Sequence, residues 1–327
     1  EAFEGAVLLN TDLPQTTLAA GYVTKMQART TNAADGAFSI NMDGADSSIP
    51  SFQKTATFPG ATSSNSTSAY TAFAFDGAYT GLVINKSIPN LTLTGAYAAV
   101  NDIGLSGGAG STVLGDAKVY NVEANYVLPM SGFSLGFDAI YRTSKTDDAG
   151  AATALRDYDG GEYYAARVGI KEFNGFGVNF AYGQSAKDRK LIAGLGSGAD
   201  NLYTGALIRG GTTTYGADTD SYKFEATYDF SKVGIAGLTA LAQYAVADQG
   251  TGAKDIPSKA GAVNTIMNDY KTTHFSLAYA VPALKGLTVA LQYESQKKEA
   301  ARVNGAAISP SDDYTQDEYR FMANYKF

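Results

Sequence analysis

Alternation of apolar and polar residues is the dominant pattern along this chain. In residues 319–325 every second position holds Tyr, Phe or Ala, whereas Arg, Met and Asn fill the positions between them. The same division recurs in residues 133–141, 222–230 and 287–293. A repeat of two residues is the period of a β-strand whose two faces meet different environments. The pattern therefore predicts an all-β chain.

Thirteen segments can be assigned to strands on this basis. Each has about the 9–11 residues that a tilted strand needs to cross a lipid bilayer, or somewhat more. The segment 236–248 is less regular, because Leu241 lies among its polar positions. The predicted strands span residues 2–10, 15–29, 73–86, 90–101, 117–128, 132–145, 162–172, 175–186, 219–230, 236–248, 270–281, 286–297 and 314–327.

The connections between these strands alternate strictly between short and long. The short ones are residues 11–14, 87–89, 129–131, 173–174, 231–235 and 282–285, and the long ones are residues 30–72, 102–116, 146–161, 187–218, 249–269 and 298–313. Outer-membrane barrels sort their connections in this way, with tight turns at the periplasmic end and long loops outside. We therefore expect residues 1–327 to form one transmembrane antiparallel β-barrel domain.

Two stretches of the chain echo each other. Residues 2–6 read AFEGA and residues 74–78 read AFDGA. Each leads to an asparagine, Asn10 or Asn85, and then to a proline, Pro14 or Pro89, before a Thr-Leu strand. The echo predicts two hairpins of the same design.

Composition narrows the class of protein further. The chain has no Cys and one His, so disulfides, thiolate metal sites and multi-histidine metal sites are excluded. The net charge of −7 argues against nucleic-acid binding. Charged residues make up only 17%, whereas Tyr (22) and Gly (36) are abundant. This profile suits a secreted β protein or an outer-membrane barrel, and aromatic residues at many strand ends favour the barrel.

Several segments resemble the OprD-type porin superfamily, which includes the major outer membrane porins of Campylobacter. Residues 220–230 (DSYKFEATYDF) and 234–244 (GIAGLTALAQY) are similar to a family hairpin, with Ala236 where the family turn has Pro. Residues 74–93 are similar to another. Tyr325 and Phe327 resemble the C-terminal aromatic signal that the barrel assembly machinery reads in bacterial outer-membrane proteins.

The resemblance implies an eighteen-stranded barrel in the outer membrane of a Gram-negative bacterium, commonly a homotrimer, with membrane lipid and lipopolysaccharide around it. Thirteen strands is an odd number, whereas single-chain bacterial barrels have an even one. We therefore expect the mature protein to contain further N-terminal strands. A miscounted hairpin and a barrel of twelve or fourteen strands is the alternative.

The candidate pore-lining residues are taken from the polar positions of the strands, which all point to one face of the sheet. The basic candidates are Lys25, Arg29, Arg142, Arg167, Lys223, Arg320 and Lys326; the others are Glu123, Asp138, Glu225, Asp229, Glu294, Glu318, Gln292 and His274. The family carries a basic ladder that attracts carboxylates. Here Arg142 and Arg167 fall on neighbouring strands, but the basic residues form no continuous ladder.

A general porin therefore fits better than a substrate-specific channel for small carboxylates. We expect passive diffusion of small hydrophilic solutes and ions, with a weak cation preference because the net charge is negative. Residues 30–72 and 187–218 are long enough to serve as a constriction loop, a trimer latch or a receptor surface. A surface structural or adhesive protein remains the third reading.

Catalysis and cofactors receive little support from the sequence. His274 and Ser276 share one strand face, but no catalytic motif surrounds them, so no enzyme is predicted. No cofactor is predicted either. Asp43 with Asp46, and Asp312 with Asp313, offer oxygen ligands for a loop Ca²⁺. They lack EF-hand spacing, and solvated acidic turns explain them more simply.

Overall fold

The structure is a computed structural model, and its described residues form strands, tight turns and one 3-10 turn, Phe230–Val233. It describes residues 2–27, 31–32, 38–39, 55–56, 72–74, 77–106, 112–148, 159–189, 191–192, 203–208, 216–250, 266–302 and 314–326. Within those ranges, no helix has the length and apolar character required to cross a membrane.

Seventeen strands occur in the described part of the chain. They are β1 (Ala2–Asn10), β2 (Thr16–Gln27), β3 (Thr31–Asn32), β4 (Phe38–Ser39), β5 (Thr55–Ala56), β6 (Ala72–Ala74), β7 (Gly77–Asn85), β8 (Leu91–Ser106), β9 (Thr112–Met130), β10 (Phe133–Asp148), β11 (Gly161–Phe173), β12 (Phe176–Ser185), β13 (Thr219–Asp229), β14 (Leu238–Gln249), β15 (Ile266–Ala280), β16 (Leu287–Arg302) and β17 (Tyr314–Tyr325).

Thirteen long strands form one antiparallel sheet in the order β1-β2-β7 and then β8 to β17 without a crossover. Every long strand pairs with the long strands next to it in the chain, so the sheet is a continuous meander. The prediction of thirteen antiparallel strands is confirmed. Among the described residues, β1 and β17 occupy the two ends of the ladder and do not pair with each other.

Several strands are longer than the sequence predicts, mainly on the side of the long connections. β8 continues to Ser106, β10 to Asp148 and β16 to Arg302. There the ladder continues through backbone hydrogen bonds although the alternation fades, as where Asp147 pairs with Asp116. The short strands β3, β4 and β5 lie inside the predicted loop 30–72. At the end of that loop, β6 pairs with the extension of β8. Backbone pairing outlasts the apolar pattern because it needs no particular side chain.

The two echoed hairpins share one turn geometry, as predicted. Asn10 Oδ1 accepts from the backbone N–H of Asp12 at 3.3 Å, and Asn85 Oδ1 accepts from that of Ser87 at 3.1 Å. The last turn residue takes a positive φ in both, 55° at Gln15 and 64° at Asn90. An asparagine side chain that bonds the backbone two residues on is a recurrent turn-forming device.

The two faces of the sheet are inverted relative to a soluble β protein. Large apolar side chains are exposed on one face; Phe224 is 50% exposed and Phe321 is 71% exposed. Polar side chains are buried on the other; Lys223 is 5% exposed, and Glu294 is fully buried. We call the face that carries Lys223 and Glu294 the inner face. An exposed apolar face of this extent is typical of a sheet surrounded by lipid.

Candidate functional site: an inner wall with a docked loop segment

Two described stretches of the long connection between β12 and β13, residues 191–192 and 203–208, lie against the inner face. We call residues 203–208 the docked segment. The connection also contributes Leu191, which joins Tyr203 and the wall residues in a small apolar cluster. The members of that cluster are Ile140, Tyr163, Ala165, Ala181, Leu191 and Tyr203. The three uses predicted for this connection stay predictions.

Tyr203 begins the docked segment and is held by β9 and β11. Its hydroxyl donates to the carboxylate of Glu123 and accepts from Asn125 Nδ2 at 3.2 Å. The Arg167 guanidinium lies over its ring, with Cζ 4.4 Å from the ring centroid. Burial and the Glu123 carboxylate raise the pKa of Tyr203 well above its ordinary value. The hydroxyl therefore stays protonated and remains a donor.

The middle of the segment is bonded to β11 and β13. The hydroxyl of Thr204 lies 2.7 Å from that of Tyr163 and 2.8 Å from that of Ser221. The ammonium of Lys223 donates to the carbonyl oxygen of Gly205 at 3.0 Å. These wall side chains satisfy polar groups of the segment that the interior would otherwise leave unpaired.

The far end of the segment is bonded to β14 and β16. The backbone N–H of Leu207 donates to Gln243 Oε1 at 3.1 Å, and that of Ile208 donates to Glu294 Oε2 at 2.8 Å. His274 of β15 lies between these two acceptors, and its Nδ1 is 3.1 Å from Glu294 Oε2. The segment is thus bonded to the wall from β9 to β16.

Charges on the inner face lie beside partners of opposite sign. Arg167 Nε donates to Asp138 Oδ2 at 2.8 Å, and Lys223 Nζ lies 3.8 Å from Glu225 Oε2. Arg320 is paired with Glu318. Because each charge lies beside one of opposite sign, the wall carries both signs. No single residue contributes much to the electrostatic potential at a distance.

Seven of the predicted pore-lining residues come together under or beside the docked segment. They are Glu123, Asp138, Arg167, Lys223, Glu225, His274 and Glu294. Two others, Glu318 and Arg320, form their pair on β17, and Gln292 lies opposite Arg320. Arg142 is buried on β10, where its Nε donates to Asn121 Oδ1 at 3.1 Å.

The remaining predicted residues lie away from this region or outside the description. Asp229 ends β13 and accepts from the backbone N–H of Ser231 at 2.9 Å, so it caps the following turn. Lys25 belongs to β2, without a described side chain, and Tyr325 is exposed at the end of β17. Lys326 follows β17 directly. The predictions for Arg29, Phe327, Asp43, Asp46, Asp312 and Asp313 lie outside the described residues.

Sequence reasoning missed most of the uncharged groups that hold the segment. These are Asn125, Tyr163, Asn179, Tyr203, Thr204, Ser221 and Gln243. A signal for the segment does exist, because residues 206–208 read ALI, and residues 191–193 read LIA, within a connection rich in Gly and Thr. A loop surrounded by water has no need of such a cluster.

The described residues offer no support for the other chemistries that were considered. His274 Nε2 has no hydrogen-bond partner among them, so it does not engage the hydroxyl of Ser276. Within the same residues, no group of three or more Asp, Glu or His side chains is arranged to hold a metal ion.

The fold places this chain with outer-membrane β-barrel proteins. No protein-family model matches the sequence, and no curated protein matches it. Solved structures do match. OccK8 (OprE) of Pseudomonas aeruginosa is 19% identical with a TM-score of 0.66, over 99% of this chain and 70% of that one.

Two further structures give the same result. The outer membrane protein OpdK of P. aeruginosa is 15% identical with a TM-score of 0.67, over 99% of this chain and 69% of that one. OccAB2 of Acinetobacter baumannii is 20% identical with a TM-score of 0.64, over 99% and 67%. At this identity the likeness establishes the fold, and the predicted resemblance to OprD-type porins is confirmed at that level.

Proposed function

We propose that this protein is a porin of the bacterial outer membrane that lets small hydrophilic solutes and ions diffuse passively. The inverted sheet carries the proposal: apolar side chains such as Phe224 and Phe321 are exposed, whereas polar ones line the inner face. A polar interior surrounded by an apolar exterior is the architecture of a water-filled channel in lipid. The docked segment supports the proposal, because polar contacts hold it against the inner face. A segment held in this way would narrow a water-filled interior, whereas an apolar core would fill it.

The proposal includes a closed barrel that forms one domain. The backbone groups at the outer edges of β1 and β17 would cost several kcal/mol each if left unpaired in hydrocarbon, so a membrane barrel pairs all its edges. The family resemblance implies eighteen strands and a homotrimer within lipid and lipopolysaccharide, and assembly through the barrel assembly machinery. Heat-modifiable migration on gels would support closure.

A weak cation preference is part of the proposal. The inner face carries acidic and basic groups in pairs, such as Arg167 with Asp138, so neither sign dominates the wall. The net charge of −7 lowers the potential at the mouths and concentrates cations there. The preference for cations over anions should therefore be modest, and it should decline as the salt concentration rises and screens the charges.

A channel for small carboxylates is the second candidate. The structure of P. aeruginosa OpdK with vanillate, at 15% identity and a TM-score of 0.64, shows a carboxylate with a protein of this fold. In the present chain Arg142, Arg167 and Lys223 lie on the inner face of β10, β11 and β13. Each is already engaged by Asn121, Asp138 or Glu225, which favours the general porin.

Conductance in a planar bilayer tests both candidates. The purified protein should give stepwise ohmic currents in KCl, with a small reversal potential of cationic sign under a salt gradient. Vanillate at millimolar concentration should leave the current unchanged in a general porin and reduce it in a carboxylate channel. Insertion without any current would contradict a pore and favour a surface structural or adhesive protein.

A further inference from the structure

We propose that His274 is a positioning residue that orients Glu294 to hold the far end of the docked segment, and so fixes the width of the passage. This inference rests on the proposed porin function for its consequence, although the contact itself can be tested without it. His274 itself bonds no group of the segment, since its Nδ1 faces Glu294 and its Nε2 has no hydrogen-bond partner among the described residues. It acts through the carboxylate of Glu294.

His274 and Glu294 face each other across the β15–β16 ladder, and both are fully buried. Nδ1 of the imidazole is 3.1 Å from Glu294 Oε2, the same oxygen that accepts from the N–H of Ile208 at 2.8 Å. With the ring proton on Nδ1, the imidazole donates to Glu294 Oε2. One oxygen thus receives two N–H groups, one from the wall and one from the segment.

The neighbouring strand provides a second fixed acceptor. Gln243 lies beside His274 in the β14–β15 register. Its Nε2 donates to Glu225 Oε2 at 2.6 Å, which turns its Oε1 toward the N–H of Leu207. Two successive backbone N–H groups are therefore captured by side chains two strands apart, with His274 between them. The N–H groups of Leu207 and Ile208 are adjacent, so they reach both acceptors only while the Glu294 carboxylate keeps the orientation seen here.

Loss of the imidazole N–H would remove one of the contacts that hold the buried carboxylate of Glu294 in place. Hydrogen bonds to buried charged groups are the stronger ones, and removing one partner is costly because the other remains desolvated. The hydrogen bond at Ile208 would then weaken, while Tyr203, Thr204 and Leu207 stay bonded to the wall. The last described residue of the segment would become more accessible to water.

Thiol labelling measures this accessibility directly, because the protein contains no Cys. In the full-length protein with Ile208→Cys, the rate of reaction with a water-soluble maleimide reports exposure of the far end. Adding His274→Gln should raise that rate by about tenfold or more, the effect of losing a hydrogen bond to a buried charge. Adding His274→Asn should change it by less than about twofold, because the Asn amide nitrogen occupies the place of Nδ1.

Controls separate positioning from general loosening. Ser276→Ala removes a polar group two residues along the same face of β15 and should leave the labelling rate unchanged. Heat-modifiable migration of each variant shows whether the barrel has formed. Equal rates in His274→Gln and in the parent protein would overturn the proposal, as would equal rates in His274→Asn and His274→Gln.

A current measurement adds the functional consequence. His274→Gln, without Ile208→Cys, should increase open-channel current noise relative to His274→Asn. A parent protein without current would defeat the porin function while the labelling result still stands.

Discussion

Lys223 and Phe224 are neighbours on β13, yet 5% of the lysine and 50% of the phenylalanine is exposed. Successive side chains of a strand point to opposite faces, so the two residues report the two environments of one wall. The ammonium donates to the carbonyl oxygen of Gly205 in the docked segment, whereas the ring lies on the exposed apolar face. The charged residue is thus the interior one.

The orientation of β13 can be tested with one charge at two adjacent positions. Ala226 lies on the apolar face between the aromatic residues at 222 and 228, and Thr227 lies on the inner face. Ala226→Lys should lower the free energy of unfolding by ~2–4 kcal/mol, the cost of a lysine near the bilayer midplane. Thr227→Lys should have a much smaller effect. Guanidinium titration in lipid vesicles measures both, and equal losses would contradict the assigned faces.

A row of tyrosines on the apolar face forms hydrogen bonds with the next strand. Tyr182 donates to Asp220 Oδ1 at 2.7 Å, and Tyr141 donates to Glu162 Oε1 at 2.8 Å. Tyr293 makes a similar contact with Asp317. An amphipathic ring with its hydroxyl toward the polar side is typical of the membrane–water boundary.

Removal of one hydroxyl tests that boundary. Tyr182→Phe should lower the free energy of unfolding by ~0.5–1.5 kcal/mol, since a hydrogen bond is lost and the ring remains. Asp220→Asn is the matched control, because its Oδ1 still accepts, and its effect should be smaller. The same titration in vesicles measures both variants, and an unchanged Tyr182→Phe would place this hydroxyl in bulk water.

The sheet could be predicted from the sequence because its determinants are local. A strand that separates lipid from a polar interior must alternate at every second residue, so thirteen strands can be recognised one at a time. The turns are equally local, since Asn10 and Asn85 each bond a backbone group two residues away. Strand ends near the long connections escaped prediction because backbone pairing there continues without the alternation.

The docked segment could not be predicted because its contacts are distant in sequence. The N–H of Ile208 bonds Glu294, which lies 86 residues away, and Tyr203 bonds Glu123, which lies 80 residues away. No periodicity relates such positions. The alternation could assign the charged residues to one face of the sheet. It could not predict their hydrogen-bond partners in the docked segment, because these depend on which strands the segment crosses.

The turn between β7 and β8 makes a separate prediction. Asn90 takes a φ of 64°, a conformation that β-branched residues adopt only with strain. Asn90→Val should therefore cost ~1–2 kcal/mol and slow barrel assembly, whereas Asn90→Gly should be neutral. The rate of appearance of the heat-modifiable form during refolding into detergent measures the effect. Equal rates for the two variants would show that this turn does not limit assembly.

The last prediction concerns ion selectivity. Arg167 neutralises Asp138 at 2.8 Å and lies over the ring of Tyr203, so it contacts the docked segment's first residue. Arg167→Gln should leave the Asp138 carboxylate uncompensated and raise the cation preference. Asp138→Asn should lower it or reverse its sign. Lys86→Gln removes the same charge at a short turn, far along the chain from this pair, and serves as the control.

Salt dependence separates this effect from a change in pore shape. The Debye length is ~10 Å at 0.1 M and ~3 Å at 1 M, so a single charge beside the passage acts strongly only at the lower concentration. The reversal potential under a KCl gradient should therefore shift in Arg167→Gln near 0.1 M and approach that of the parent near 1 M. A shift that persists at 1 M would indicate a rearranged segment rather than a changed field, because steric effects are not screened. An unchanged reversal potential at both concentrations would place Arg167 away from the path of the ions.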